Sequence, residues 1–194
     1  MDVILSTEGV DLQECDLLVT GFFEDERPLK GSSGWVDWRL NGSLSEFLLE
    51  KRLTGHWKEK TLIPSQGRMA PRMTLLVGLG KVKEYSYLHL REICPHLLEA
   101  VKNLKASSIC LSLPYEESYN VDCGKLVEIL IEGIADCLNS HRFPSNEEWI
   151  KDLRLFFAEG EERFPEVLLG VQTAKSILED RLPIRIFTPS EEHA

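Results

Sequence analysis

The sequence has no long hydrophobic run and no basic excess, and these two absences restrict the class of protein. No stretch approaches the ~18 apolar residues that a membrane-spanning helix requires. The first residues lack the basic segment and apolar core of a secretory signal. The formal net charge is −10, whereas nucleic-acid binders neutralise phosphates with Lys and Arg. We therefore expect a cytoplasmic protein without a membrane partner, for which a nucleic-acid partner is unlikely.

The chain is also poor in patterns that hold metals, disulfide bonds or nucleophiles. Its five cysteines are an odd number without a C-x-x-C spacing, which favours reduced thiols over a disulfide framework. Its five histidines form no H-E-x-x-H motif, and no G-x-S-x-G motif is present. We therefore expect neither a metal nor another cofactor. The four tryptophans lie near loops and predicted helix starts, where packing is the default explanation.

The composition is that of a folded domain. The chain has 194 residues, of which 43% are hydrophobic and 28% charged, as is ordinary for one globular domain. We predict a single domain over residues 1–188 and a short flexible tail over residues 189–194.

Apolar segments alternate with helical patterns along the chain. Seven short segments rich in Val, Leu, Ile and Phe are bounded by Gly, Pro or charged residues, which is typical of buried strands. These predicted strands are residues 3–6, 16–23, 61–64, 73–79, 108–113, 153–158 and 184–188. Apolar residues at a period near 3.6 predict four helices between them, one from about residue 43, and others over residues 86–104, 123–138 and 161–178. The alternation predicts an α/β fold, a three-layer α/β/α sandwich with a mixed, mostly parallel sheet.

Two details of these helices are also predicted. Ser43 and Glu46 have the spacing of a capping box, so Ser43 is expected to cap the first helix. Pro95 lies inside the second helix, which predicts either a kink there or a helix that starts near Cys94.

One glycine-rich segment follows the fourth predicted strand and is a candidate ligand loop. It consists of Gly78, Leu79, Gly80 and Lys81. Lys83 stands where a dinucleotide fingerprint needs glycine, and Leu75 stands where a Walker A loop needs it. Because α/β sheets bind ligands at the carboxyl ends of their strands, an anion contact for Lys81 is one hypothesis. A structural turn is the favoured alternative.

A second glycine-rich segment follows the second predicted strand. It consists of Gly31, Ser32, Ser33 and Gly34. Backbone amides of such a loop can form a nest for an anion. A flexible connection is the favoured alternative.

The charge is unevenly distributed along the chain. Residues 51–83 contain eight Lys and Arg against one acid, Glu59, so that this segment carries +7 and the remainder −17. Such a block predicts an anion site or a docking surface for an acidic partner, with solvated loops as the alternative.

The order of these segments is similar to that of a known family. The similar positions are DLLVTGFF at 16–23, Asp37, LNGSL at 40–44, Gly55, LLVGLGK at 75–81 and Arg91. Together they resemble the N-terminal domain of the leucyl aminopeptidases, the M17 peptidase family, over residues 1–188. The most specific element is the V-G-L-G-K turn.

The resemblance implies a macro-domain-like fold that, in the family, precedes a catalytic domain with two metal ions. The catalytic signature N-T-D-A-E-G-R-L is absent from this sequence. The resemblance therefore transfers no catalytic or metal-binding role to any residue here, and we expect no aminopeptidase activity.

Three functional hypotheses remain. The first is a non-catalytic interaction, assembly or regulatory module that self-associates or docks on an aminopeptidase-like or acidic protein. The alternative is a macro-like domain that binds a nucleotide or ADP-ribose-type ligand through the two glycine-rich segments. A weaker alternative is a DNA-binding regulator that uses the basic residues of segment 51–83.

Overall fold

The computed structural model describes residues 1–138 and 147–189. Within them, seven strands form one sheet with the order β3-β4-β2-β5-β6-β1-β7. The strands are β1 (Asp2–Ser6), β2 (Leu17–Phe22), β3 (Lys60–Pro64), β4 (Met73–Gly78), β5 (Ser108–Ser112), β6 (Arg154–Ala158) and β7 (Arg185–Phe187). The helices are α1 (Gly31–Arg39), α2 (Ser43–Leu49), α3 (Tyr87–Leu104), α4 (Cys123–Cys137) and α5 (Phe164–Ile177).

The sheet is mixed and mostly parallel, as the sequence predicts. Only β3 runs antiparallel to its neighbour β4, and the other pairs of strands in the described residues are parallel. All seven predicted strands are present, and each of their ends agrees with the predicted one or differs from it by one residue. The reason is that short apolar runs between Gly, Pro and charged residues encode buried strands directly.

Two hydrophobic clusters cover the two faces of the sheet. Alternate residues of a strand point to opposite faces, so Val19 of β2 joins the cluster with α3, α4 and α5. Leu18 joins the cluster with Val36 of α1 and Leu44 of α2. The predicted three-layer α/β/α sandwich is therefore confirmed.

The flexible connection predicted at residues 31–34 is wrong, because these residues form the first turn of α1. The segment has no apolar period, so the sequence pattern does not reveal the helix. Tertiary contacts stabilise it instead, since Val36 is fully buried against the sheet. The helix start predicted near Cys94 is also wrong. Helix α3 runs through Pro95 from an N-cap at Ser86, because its apolar face on both sides of the proline is buried in the core.

The predicted capping box is wrong as well. The Ser43 hydroxyl donates to the Leu40 carbonyl instead of accepting from the helix. The amides of Leu44 and Ser45 donate to the Asp37 carboxylate at 2.8 and 3.1 Å. Asp37 lies on the preceding helix, so the cap of α2 is a contact between two helices.

The predicted tail and the predicted domain boundary both stay predictions. The predicted tail, residues 189–194, lies outside the described residues except for its first position, and the predicted domain boundary at residue 188 stays a prediction. Within the described residues, no helix combines the length and apolar character needed to cross a bilayer.

Candidate functional site

A cavity of about 320 Å³ lies at the carboxyl ends of β2, β5 and β6. Phe22 of β2, Ser112 of β5 and Glu159, which follows β6, contribute to its wall. The first turn of α1 closes another side. Parallel α/β sheets hold their ligands at this edge, so the cavity is the candidate site.

The first turn of α1 is fixed to the ends of two strands by one hydroxyl. Ser32 Oγ lies 2.5 Å from the hydroxyl of Thr20 on β2 and donates to the Ser112 carbonyl of β5 at 3.0 Å. The first N–H groups of a helix have no intrahelical acceptor. Within the described residues, the N–H groups of Gly31, Ser32 and Ser33 have no hydrogen-bond acceptor. The turn therefore presents free amide donors beside the cavity.

On another wall of the cavity, the side chains of Tyr119 and Lys30 both donate hydrogen bonds to the carboxylate of Glu26. Glu26 accepts from the Tyr119 hydroxyl at 2.9 Å and from Lys30 Nζ at 2.8 Å. Burial, together with the hydrogen bond to Glu26, raises the pKa of the Tyr119 phenol. Tyr119 thus stays a neutral donor, and the ammonium of Lys30 is paired.

Glu159 is the half-buried carboxylate of the cavity. Its Oε2 accepts from the Tyr115 hydroxyl at 2.6 Å. Burial raises the pKa of Glu159, while the Tyr115 hydrogen bond and the charge of Arg163 oppose the rise. The Arg163 guanidinium lies 5.9 Å from the centre of the Tyr115 ring and pairs with Glu166 at 2.8 Å. With Glu26 and the exposed Glu116, three carboxylates line the cavity.

The two glycine-rich segments lie in different places. Gly31, Ser32 and Ser33 line the cavity, whereas no residue of segment 78–81 appears among the described residues that line it. Gly34 is in the same turn of α1 but packs against the backbone, since a Cβ there would lie 2.6 Å from the Leu29 carbonyl oxygen. The ligand role of these residues stays a prediction.

Segment 78–81 forms a tightly packed turn at the end of β4. A Cβ on Gly78 would lie 2.0 Å from the His56 carbonyl oxygen. Gly80 has a positive φ of 72° and donates its N–H to the Gly55 carbonyl at 2.9 Å. Leu79 is buried, and the Lys81 side chain is exposed. Gly78 is therefore needed for the close approach of two backbone segments, and Gly80 for the positive φ of the turn.

The sequence pattern misses the most distinctive cavity residues. Glu159 directly follows a predicted strand, and Tyr115 lies two residues after another. The rule that ligands bind at strand ends therefore covers both residues, although neither belongs to a glycine-rich segment. Glu26 and Arg163 lie further along the loops, and no sequence signal places them at the cavity.

The basic residues of segment 51–83 lie at both ends of the β3–β4 edge. Arg68 and Arg72 precede β4, and Lys81 and Lys83 follow it. A six-residue strand separates its ends by ~17 Å. The charge block of the sequence is therefore divided between the two ends of this edge.

The exposed face of α1 carries a surface that we call the α1 surface, formed by Leu12, Trp35, Trp38, Arg39 and Arg68. The Trp35 and Trp38 rings are stacked 4.9 Å apart and are 45% and 62% exposed. The Arg39 guanidinium lies 5.5 and 5.2 Å from the two ring centres. Packing does not account for these tryptophans, contrary to the default expectation.

A buried carboxylate holds the α1 surface in place. Asp11 is 3% exposed, accepts from Trp35 Nε1 at 2.7 Å and forms an ion pair with Arg39. The neighbouring Leu12 is 52% exposed. The Arg68 guanidinium lies 3.5 Å from the Arg39 carbonyl oxygen. The aromatic and cationic side chains are therefore ordered although they face solvent.

Metal-ligating and nucleophilic side chains do not form a site in the described part of the chain. No group of three or more His, Cys, Asp or Glu side chains there is close enough to hold a metal ion. The five cysteines are buried. Burial raises the pKa of Cys15 to about 11 and that of Cys123 to about 12, so neither thiol is activated as a nucleophile.

Comparison with solved structures defines the class of fold as macrodomain-like. The Oceanobacillus iheyensis macrodomain with MES bound has a TM-score of 0.64 at 14% identity, covering 91% of each chain. The Trypanosoma brucei macrodomain in complex with ADP-ribose has a TM-score of 0.62 at 17% identity, covering 88% of this chain and 68% of that one. A tomato leucine aminopeptidase mutant has a TM-score of 0.58 at 18% identity, covering 92% of this chain and 37% of that one.

Comparison of sequences shows the family. The model for the N-terminal domain of the cytosol aminopeptidase family matches residues 19–145, more than half of the chain. A probable cytosol aminopeptidase of Cyanothece is 30% identical over 149 residues, 76% of this chain and 30% of that one. A Synechocystis protein of the same description is 32% identical over 135 residues, 69% of this chain and 27% of that one.

The chain therefore belongs to the cytosol aminopeptidase family, the M17 family that the sequence resembles, and what it matches is the family's N-terminal domain. It spans about 30% of the length of the Cyanothece relative. The predicted resemblance and the macro-domain-like fold are both confirmed.

Proposed function

We propose that this chain acts as a non-catalytic interaction domain that docks on an acidic protein partner through the α1 surface. The observation that carries the proposal is the stacked, solvent-exposed pair Trp35 and Trp38 with the Arg39 guanidinium beside both rings. Trp and Arg are the residues most enriched at the energetic centres of protein interfaces.

The partner's chemistry follows from the charges of the α1 surface. It contributes two guanidinium groups: that of Arg39, which is paired with the buried Asp11, and that of Arg68, which forms no ion pair within the described residues. A surface with carboxylates around an apolar side chain complements this arrangement. Because Asp11 already orders Trp35 and Arg39, docking loses little side-chain entropy.

A defined peptide tests the proposal. The probe is a fluorescein-labelled peptide with Glu residues around a Leu-Leu pair, compared with the same peptide carrying Lys in place of Glu. We expect the 194-residue protein to bind the Glu peptide, with affinity that falls as salt rises. The double variant Trp35→Ala/Trp38→Ala is expected to bind at least ~10-fold more weakly.

Leu169→Ala is the matched control, because Leu169 is 65% exposed on α5 at the opposite face of the sheet. Equal binding of the two peptides, or equal binding by the double variant and wild type, would contradict the proposal. Sedimentation of the protein alone adds a second outcome. If the wild-type protein is a dimer and the Trp35→Ala/Trp38→Ala variant is a monomer, the α1 surface binds a second copy of this chain. That result would contradict an acidic protein partner.

Binding of a nucleotide or ADP-ribose-type ligand is the second candidate function. It is supported by the cavity at the carboxyl ends of β2, β5 and β6 and by similarity to a macrodomain in complex with ADP-ribose. The three carboxylates of the wall oppose it, because they repel phosphates. Calorimetry with ADP-ribose and with ADP separates the two candidates: saturable heats support ligand binding, and flat titrations at millimolar ligand exclude it.

A DNA-binding role is not proposed. The basic residues of segment 51–83 lie at both ends of the β3–β4 edge, and two of them are paired with acids: Arg52 with Glu50 and Lys60 with Glu99. A duplex needs a continuous basic face that neutralises several phosphates at once.

A further inference from the structure

We propose that the cavity binds a small zwitterion of the amino-acid or dipeptide class, with its ammonium group at Glu159 and its carboxylate at the first turn of α1. The proposal concerns the cavity and does not depend on docking through the α1 surface. It rests on a cavity whose lining includes both a half-buried carboxylate, Glu159, and the free amide donors of the first turn of α1.

The wall at Glu159 suits a cation. Tyr115 donates to Oε2, and within the described residues no hydrogen bond reaches Oε1. The Tyr115 ring also has the Arg163 guanidinium beside it, 5.9 Å from the ring centre. Arg163 is also at this end, but its guanidinium is held by Glu166. Glu26 and Glu116 lie elsewhere in the lining, where Glu26 is paired with Lys30.

The wall at α1 suits a carboxylate. The free N–H groups of Gly31, Ser32 and Ser33 stand at the positive end of the helix dipole. A Cβ on Gly31 would meet no atom within 4 Å, so the backbone is open to approach there. The Ser32 hydrogen bonds to β2 and β5 hold the turn in position.

The separation of the two walls matches a small ligand. Ser32 contacts the ends of β2 and β5, Glu159 continues β6, and adjacent strands lie ~4.8 Å apart. The walls are therefore about 5–10 Å apart. A ligand that forms a hydrogen bond of ~3 Å to each wall can therefore have its ammonium and carboxylate groups a few ångströms apart, as an amino acid does. The volume of about 320 Å³ lies near the lower end of the ~300–1,000 Å³ range of ligand pockets.

The cavity also has an apolar part, formed by Phe22, Leu29 and Leu113. An amino acid with an apolar side chain therefore fits better than a polar one. L-Valine and L-alanyl-L-alanine are suitable probes. N-Acetylvaline, which lacks the ammonium charge, and valinamide, which lacks the carboxylate, are the matched controls.

Amide NMR of the wild-type protein tests the proposal. Valine or the dipeptide is expected to shift the amide signals of Gly31, Ser32 and Ser33 in a saturable way. N-Acetylvaline and valinamide are each expected to bind at least ~10-fold more weakly, since each loses one charged hydrogen-bond partner. No saturable shift up to ~10 mM of either zwitterion, or equal binding of all the probes, would overturn the proposal.

Glu159→Gln gives a second test, with Glu50→Gln on the distant surface of the molecule as its control. Gln keeps an oxygen for Tyr115 but removes the charge, so valine affinity is expected to fall at least ~10-fold in this variant only. Unchanged valine affinity would overturn the assignment of the ammonium group to Glu159. Tight ADP-ribose binding without zwitterion binding would show that the cavity takes a nucleotide. If Glu159→Gln does not fold, the wild-type NMR comparison still decides the matter.

Discussion

At the scale of single residues, Glu159 makes the stability of the protein depend on pH. Burial raises the pKa of its carboxyl above the ordinary value of 4.5. The folded state therefore binds this proton more tightly than the unfolded state does, and the contribution of Glu159 to the free energy of unfolding decreases as pH rises from about 4.5 through the raised pKa.

We expect Glu159→Gln to remove this contribution, because Gln does not titrate. The free energy of unfolding of the variant, relative to wild type, is expected to increase between pH 4.5 and neutral pH. Urea denaturation across this range measures the difference, and Glu50→Gln serves as the exposed control. A difference that is constant with pH, or that decreases, would contradict the raised pKa.

The tight turn after β4 gives a second prediction for single residues. Gly78→Ala places a Cβ against the His56 carbonyl, and we expect a loss of about 2–3 kcal/mol in the free energy of unfolding because two backbone segments must separate. Gly160→Ala, where a Cβ meets nothing within 4 Å, is expected to change it by less than ~0.5 kcal/mol. Similar costs for both variants in chemical denaturation would contradict the role assigned to Gly78.

At the scale of elements, helix α2 depends on a cap from the preceding helix. Asp37→Ala leaves the amides of Leu44 and Ser45 without their acceptor, and we expect a loss of about 1–2 kcal/mol. Ser43→Ala, which the sequence alone predicts to be the damaging change, is expected to cost about 0.5 kcal/mol or less. Chemical denaturation measures the free energy of unfolding of the two variants. A larger loss for Ser43→Ala than for Asp37→Ala would show that Ser43, and not Asp37, caps the helix.

At the scale of the whole molecule, the prediction concerns peptidase activity, because the family model that matches this chain is that of the N-terminal domain. Two-metal hydrolysis needs several carboxylates that converge on the metal ions, and the described ranges 1–138 and 147–189 contain no group of three or more His, Cys, Asp or Glu side chains that could hold a metal ion. We expect the pure protein to hydrolyse no leucine p-nitroanilide in the presence of manganese or zinc. A full-length cytosol aminopeptidase is the positive control. Release of nitroaniline in proportion to protein concentration would contradict the expectation.

The strands and the fold class follow from the sequence by itself. The central strands β2, β4 and β5 are short runs in which nearly every residue is buried, because both faces of the sheet are covered there. Helices α3 and α4 repeat apolar residues at the helical period, so they too are predictable, and so is the resemblance to the family. Helix α1 is not, because its first turn is Gly-Ser-Ser-Gly and only Val36 and Ser33 are buried.

The cavity and the α1 surface are decided by the tertiary structure. Glu26, Tyr119 and Glu159 are far apart along the chain, and they meet because parallel strands bring their carboxyl ends to one edge of the sheet. Asp11 likewise reaches Trp35 and Arg39 across more than twenty residues. A local pattern records period and propensity, which depend on neighbours in sequence. The pairing of a buried carboxylate with distant donors depends on the packing of the whole domain, and that is the physical reason why the sequence determines the sheet but not its sites.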